Sequence, residues 1–328
     1  MISIREEFAG LIFGAPTRFQ NLTIFPVFRQ NTVRPEPGYV LLEQAIHSGF
    51  ARVSEVCEGG IVPQLRFENS GPLPVLLLDG EELVGAKQNR VLNLSILAPA
   101  NAGIDIPVSC VEAGRWQHQS THFAPADAVQ YSTGRAARAK QVSKSMQESG
   151  SRQSDQGRVW ADIAEKSIRM QADSDTGAMR AIYEKHRDTV EHYARAFSLH
   201  TNQCGMLFTI GHRSWGIDLL DHPSAMGLVF ARLLRGYALD ALDSTAAAGP
   251  KFRTTDWTHF IEGVAAAPVF AALAVGLGKD VRIVGPAACG GALWAEDRYI
   301  HLSAFSSAGD QAEGGPYIGI ARPSRRRG

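Results

Sequence analysis

The chain has few cysteines and no net charge, and both features narrow the classes of protein it can belong to. Its 328 residues include four cysteines, Cys57, Cys110, Cys204 and Cys289, and none forms a CxxC pair. This spacing argues against a disulfide framework and against a zinc site, and it suits a reducing compartment. The 33 Lys and Arg residues balance 33 Asp and Glu residues. No global charge therefore favours nucleic acid or an anionic membrane as a partner.

Long hydrophobic runs are also missing. The N-terminal apolar stretch is short and is interrupted by Gly14 and Pro16, unlike the core of a signal peptide. The longest apolar stretch, 263–278, contains Pro268 and is shorter than the roughly 20 residues that a membrane-spanning helix needs. We therefore expect a cytoplasmic protein that has neither a membrane nor a nucleic acid as a partner.

Known phosphate-binding, nucleophile and metal-binding motifs do not occur either. The sequence has no GxGxxG or GxxxxGK[ST] loop and no GxSxG elbow. His200, His212 and His222 have no histidine partner at helical spacing. We therefore expect no metal site and no cofactor.

What the chain does have is a dense set of polar side chains inside an apolar segment, residues 72–116. Its candidate site residues are Asp79, Glu81, Glu82, Lys87, Gln88, Asn89, Arg90, Asn93, Glu112, Arg115 and Trp116. Burying polar groups without partners costs free energy, so the pattern predicts that these side chains meet a polar ligand. Two other interpretations stay open: a hairpin tip with solvated charges, and a surface ion pair beside a core tryptophan.

The three acidic residues of this set are the catalytic candidates, Asp79, Glu81 and Glu82. Glu81 and Glu82 are adjacent, so on a strand they point to opposite faces and only one can face the site. In a hydrolytic reaction, Glu81 or Glu82 would be the general base for attack by water.

The remaining side chains are ligand-binding candidates. Lys87 and Arg115 would neutralise a phosphate, and Trp116 would stack on a base. Asn89 and Asn93 would hold hydroxyl groups through their amides. The other ligand-binding candidates are Gln88, Arg90 and Glu112.

Periodicity predicts an α+β fold with an antiparallel sheet layer from the N-terminal half, a helical middle segment and a smaller C-terminal β-containing part. Asp79–Gly80 is typical of a hairpin turn. We predict helices at 38–48, 135–148, 159–171, 176–198, 223–242 and 256–277. We expect one domain over 1–305, in which 117–157 is a polar loop or linker-like segment, followed by a disordered tail at 306–328.

Three stretches, LLLDGEELVGAKQNRVLN, IPVSCVEAGRW and HLSAF, together resemble one family. They are similar to the ADP-ribosylglycohydrolase- and rhodanese-phosphatase-associated protein domain, over roughly residues 10–305. The resemblance implies, by association, recognition or processing of an ADP-ribose-type or other phosphorylated nucleotide or sugar ligand in NAD-linked metabolism. It also makes ADP-ribosylation enzymes candidate partners.

Two classes of function stay open from the sequence. If the protein is an enzyme, we expect a metal-independent hydrolase that acts on an ADP-ribose derivative. The alternative is a non-catalytic protein-interaction module that uses the same polar hairpin surface.

Overall fold

Three β-sheets with helices packed on them form the described part of this computed structural model, residues 2–30, 36–57, 63–115, 120–211, 214–244 and 254–307. The predicted fold class, α+β with antiparallel sheets, is confirmed. None of the helices in these ranges combines the length and the apolar character that crossing a membrane requires.

The helices of the described residues begin and end at local signals. Helix α7 starts with Pro223 directly after His222, whose ring accepts a hydrogen bond from the Ser224 N–H. Helix α3 ends at Gly150, which has a φ of 72°. The helices are α1 (Ile4–Ala9), α2 (Leu42–His47), α3 (Ser132–Ser149), α4 (Gln156–Arg169), α5 (Met179–Lys185), α6 (Arg187–Arg195), α7 (Pro223–Asp243) and α8 (Thr254–Ala266).

The strands are mostly short, and the longest lie in the C-terminal half and at β3 and β11. They are β1 (Leu11–Phe13), β2 (Thr17–Phe19), β3 (Leu22–Arg29), β4 (Val40–Leu41), β5 (Ala51–Glu55), β6 (Gln64–Asn69), β7 (Val75–Leu77), β8 (Glu81–Gly85), β9 (Arg90–Leu92), β10 (Ile96–Ala98), β11 (Ala102–Cys110), β12 (Phe123–Val129), β13 (Gly205–Ile210), β14 (Ser214–Leu220), β15 (Val269–Leu273), β16 (Lys279–Val284), β17 (Ala288–Ala295) and β18 (Arg298–Ser306).

The largest sheet has nine strands in the order β1-β3-β13-β14-β18-β17-β16-β15, with β2 also paired to β3. A six-stranded sheet has the order β12-β8-β9-β11-β6-β5, and a three-stranded sheet has the order β10-β7-β4. Strands β4 and β7 are parallel. The C-terminal strands β13–β18 thus form six of the nine strands of the largest sheet, and β1–β3 form the other three.

Alternating side chains along the strands place apolar residues on both faces of the nine-stranded sheet. On β13, Met206 and Phe208 pack with the core that includes α7, while Leu207 packs with the core that includes α1 and α8. Helix α3 lies on the same face as α7, because its Arg135 reaches Asp218 of β14. This face is where the charged side chains described below meet.

The prediction of a polar loop or linker at 117–157 is wrong for strand β12 (Phe123–Val129), whereas the helix predicted at 135–148 is confirmed by α3 (Ser132–Ser149). The residues 150–155 after α3 form neither helix nor strand. In α3, Arg135 and Arg138 are buried against carboxylates. The pattern of hydrophobic residues therefore does not predict that this face of the helix is buried.

Other predicted boundaries are also wrong, for local reasons. The helix predicted at 176–198 is two helices, α5 and α6, which meet at His186. The helix predicted at 256–277 ends at Ala266, before Pro268, and the chain continues as strand β15. Only 42–47 of the predicted 38–48 helix is helical. The predicted tail lies outside the described residues from 308 onward.

Candidate functional site

Two arginines of α3 link the Asp79–Gly80 turn to the nine-stranded sheet. The Arg135 guanidinium donates to both carboxylate oxygens of Asp218, at 2.9 and 2.6 Å, and its Nε donates to Asp79 Oδ2 at 3.2 Å. Arg138 Nη2 donates to Asp79 Oδ1 at 2.7 Å. All four side chains are buried. We call these residues, Asp79, Arg135, Arg138 and Asp218, the interlayer charge network.

The network holds its carboxylates in the charged form. Burial alone would favour the neutral acids, but the nearby arginines outweigh it, so the pKa values of Asp79 and Asp218 lie below the usual range. The Tyr237 hydroxyl also donates to Asp218. Asp79 is therefore a charged anchor for α3 at neutral pH, and its predicted catalytic role stays a prediction.

The turn at Asp79–Gly80 has a different role from the predicted hairpin. Strand β7 before it belongs to the three-stranded sheet, and strand β8 after it belongs to the six-stranded sheet. Gly80 has a φ of 80°, and a Cβ atom there would lie 2.8 Å from Arg135 Cδ. A glycine is needed both for the turn and for the approach of the arginine.

Glu81 and Glu82 have different surroundings on β8, as adjacent strand residues should. The Glu81 carboxylate is 2.7 Å from the Arg232 guanidinium of α7 and accepts the Leu78 N–H. Glu82 is 2% exposed, and no described residue donates a hydrogen bond to its Oε1. Burial raises the pKa of Glu82 to about 8, so this carboxyl group is mostly protonated at neutral pH.

The structure brings most of the predicted ligand-binding residues together where β8, β9 and β11 meet. Each of these side chains is at most 8% exposed. We call them the hairpin cluster: Lys87, Gln88, Asn89, Arg90, Glu112 and Arg115.

Hydrogen bonds within the protein connect the hairpin cluster. Arg115 donates to Glu112 Oε2 at 2.7 Å, to Asn89 Oδ1 at 3.0 Å and to the Ala86 carbonyl at 2.7 Å. Gln88 donates to the Glu112 carbonyl at 2.8 Å and accepts from Arg90 at 3.0 Å. These groups therefore brace the turn at 86–89, and their roles toward a ligand stay a prediction.

Two predicted residues are not part of this cluster. Asn93 donates to the Arg152 carbonyl at 2.9 Å and accepts from Ser109, so it ties β9 to the segment before α4. Trp116 lies outside the described residues. The stacking role predicted for it is untested.

A groove of about 280 Å³ opens beside the first turns of α3. Its walls come from α3, α4 and the β13, β14 and β18 region of the nine-stranded sheet. We call it the α3 groove, and it is lined by Ser132, Thr133, Ala136, Ala137, Lys140, Asp162, Phe208, Ser214, Trp215, Phe305, Ser306 and Ser307.

The α3 groove combines apolar rings with polar groups of both charges. Phe208 stacks on Tyr237 with ring centroids 4.0 Å apart, so this wall is fixed by the core, whereas the Trp215 ring stacks on Phe260 in the core on the opposite face of the sheet. Asp162 accepts a hydrogen bond from the Tyr131 hydroxyl. Burial raises the pKa of Asp162 in spite of that bond. Such a mixture is typical of small-molecule clefts.

The sequence reasoning missed Arg135, Arg138 and Lys140. One signal was available, because arginines three residues apart lie on one face of a helix. Such a face can be buried against the carboxylates of Asp79 and Asp218 without a stripe of apolar residues. The groove had no such signal, because ordinary serines, alanines and aromatic residues from distant segments line it.

Comparison with known families identifies the class of protein. The model of the "ARG and Rhodanese-Phosphatase-superfamily-associated Protein domain" matches residues 10–305. The chain belongs to this family, which was expected from the resemblance of its motifs. The comparisons with curated proteins and with solved structures each found no match. The family name describes an association and does not state a ligand.

Proposed function

We propose that this protein binds a phosphorylated nucleoside or sugar of the ADP-ribose type in the α3 groove. The observation that carries the proposal is the presence of aromatic rings, hydroxyl groups, a carboxyl group and an amine in one cleft. A ligand with a base, a sugar and a phosphate uses all of these, for stacking, for hydrogen bonding and for charge neutralisation.

The arrangement along α3 supports this ligand class. Ser132, Ala136 and Lys140 are spaced by four residues and share one helix face, which gives the groove a length of about 12 Å at 1.5 Å per residue. Lys140 would neutralise the phosphate, and Asp162 would accept hydrogen bonds from sugar hydroxyls.

The family assignment supports the same class by association. We interpret ARG in the family name as ADP-ribosylglycohydrolase, whose substrates contain ADP-ribose. The alternative, a protein-interaction surface on the polar hairpin, has less support, because the side chains of the hairpin cluster are at most 8% exposed. They offer little surface to a partner protein.

The test is a binding measurement with a matched pair of variants. We expect ADP-ribose and AMP to raise the unfolding temperature of the wild type. At a ligand concentration 100 times Kd, the stabilisation is about 2.7 kcal/mol. We expect Lys140→Ala to weaken binding of AMP much more than binding of adenosine, because only AMP carries a phosphate.

Lys144→Ala is the control, because Lys144 is one turn further along α3, is exposed and does not line the groove. It should bind AMP as the wild type does. The proposal fails if neither ADP-ribose nor AMP stabilises the wild type, or if Lys140→Ala binds AMP with unchanged affinity. In the first case, partner capture on the hairpin surface becomes the leading alternative.

A further inference from the structure

A small cavity lies between α3 and the nine-stranded sheet, next to the interlayer charge network. Its volume is about 10 Å³, which is room for one water-sized group. Polar side chains from four separate segments line it. The lining residues are Asp79, Leu94, Ser95, Ala139, Asp280, Arg282, Gly291, Ala292, His301 and Ser303.

A hydrogen-bonded chain of Ser95, His301 and Asp218 runs along this cavity. The Ser95 Oγ lies 2.8 Å from His301 Nδ1, and His301 Nε2 lies 3.2 Å from Asp218 Oδ1. The Asp79 N–H donates to Ser95 Oγ at 2.9 Å. Sheet register fixes the geometry, because His301 pairs with Leu220 on β14, two residues after Asp218.

The ionised state of Asp218 sets the direction of every hydrogen bond in the chain. An ionised carboxylate only accepts, so the hydrogen of the neutral His301 ring must be on Nε2. Nδ1 is then an acceptor, and the Ser95 O–H donates to it. A serine whose proton points at an imidazole lone pair, with a carboxylate behind the ring, has the arrangement of an activated nucleophile.

We propose that Ser95, His301 and Asp218 form a hydrolytic centre for small acyl esters, with Ser95 as the nucleophile. The Ser95 Oγ attacks the acyl carbon and its proton moves to His301 Nδ1. The ester C–O bond breaks and His301 returns the proton to the leaving alkoxide. Water then attacks the acyl-serine and gives a proton to His301, which passes that proton to Ser95 Oγ as the acyl C–O bond breaks and the acid is released.

The roles of the other cavity groups agree with this chemistry. Arg282 is the cation that lines the cavity, where it is paired with Asp280 at 3.4 Å and donates to Ser143 Oγ and to the Ala139 carbonyl, and an oxyanion on the substrate would have to share its charge with Asp280. Asp218 is held by Arg135 on its other side, so it orients the ring and fixes its tautomer. The two ring nitrogens have the reverse of their roles in chymotrypsin-like proteases, where Nε2 faces the serine.

The cavity volume sets the substrate class. A space of about 10 Å³ takes a methyl group and no longer chain, so the acyl group is acetyl-sized. The leaving group must remain outside the cavity, beyond Asp79 and Ser95, which are 7% and 8% exposed. This proposal does not depend on the ligand of the α3 groove.

The test uses p-nitrophenyl acetate with the full chain. We expect an acetyl group on Ser95, located by peptide mass spectrometry after an acid quench, and p-nitrophenolate release at least tenfold faster than in Ser95→Ala or His301→Gln. We expect release from p-nitrophenyl hexanoate to be at least tenfold slower than from the acetate.

Ser109→Ala is the control, because Ser109 is a buried serine that contacts Asn93 and Ser154 and does not line the cavity. It should keep the wild-type rate. An acetyl group on Ser95 of the wild type supports the proposal even if Ser95→Ala does not fold. A wild type without acetyl-Ser95 overturns it, whatever other residues are acetylated.

Discussion

The two sides of helix α3 show how differently one helix can use its charged residues. On one side, Arg135 and Arg138 are buried and each is bonded to a carboxylate. On the other side, Lys140 lines an open groove. The ring of Phe305 belongs to both environments, since it lines the groove and Arg135 lies over it at 5.2 Å.

This difference separates a role in stability from the proposed role in binding within 18 residues. A buried ion pair strongly destabilises the fold when one partner is removed, because the other charge remains without compensation. A partly exposed lysine contributes less to stability than a buried ion pair does. The residue type also fits each side, since a guanidinium can bind two carboxylates in fixed geometry and an ammonium acts as a point charge.

The largest effect expected is on the buried side. Arg135→Ala should lower the free energy of unfolding by about 3–5 kcal/mol, because it leaves Asp218 buried without its main counter-charge. Urea unfolding followed by circular dichroism measures this. The double variant Arg135→Ala/Asp218→Ala should cost less than the sum of the single variants. A loss below about 1 kcal/mol for Arg135→Ala would mean that the network does not fasten α3.

A pH series sharpens the comparison through Glu82, a buried carboxyl group that has no hydrogen-bond donor to Oε1 among the described residues. Its pKa rises from the usual 4.5 to about 8, so between these values the folded state holds a proton that the unfolded state has lost. Stability therefore falls as pH rises through this window, by at most about 1.4 kcal/mol per pH unit. Glu82→Gln should remove this slope.

Urea midpoints at pH 5.5, 6.5 and 7.5 for the wild type and Glu82→Gln measure the effect. The carboxylates of Asp79 and Asp218 act in the opposite sense. Their lowered pKa values add stability above the usual aspartate pKa, and that stability is lost as pH falls. If the free energies of unfolding of the wild type and of Glu82→Gln changed with pH in the same way between pH 5.5 and 7.5, Glu82 would be ionised in the folded state.

The smallest effect is expected on the groove side. Lys140→Ala should change the free energy of unfolding by no more than about 0.5 kcal/mol, since the substitution keeps good helix propensity and removes a partly exposed charge. The same urea experiment measures it beside Arg135→Ala. A loss comparable to that of Arg135→Ala would erase the distinction between the two sides of the helix.

Regular patterns in the sequence predicted much of the fold. Periodicity indicated an α+β fold with antiparallel sheets, and the helix predicted at 223–242 matches α7. These features depend on neighbours in sequence. Strand β12 and the packing of α3 were not predicted, because they depend on partners that the local pattern does not contain.

The candidate site shows the same limit. The polar hairpin was predicted to be important, and the structure clusters its residues, but their contacts are with each other. The groove and the cavity draw on residues that are remote in sequence; Asp79 and Ser303, for example, are 224 positions apart. Only the register of β14 on β18 brings Asp218 and His301 to the same side of the sheet.

The pairing of β3 with β13 has a consequence for biosynthesis. Leu22 pairs with Ile210, and Val27 pairs with Gly205, so one edge of β3 stays without its neighbour until the ribosome has made most of the chain. Long-range closure of this kind slows folding and leaves an open edge on the nascent protein. We expect N-terminal fragments that stop before β13 to aggregate, and the complete chain to assemble its largest sheet late.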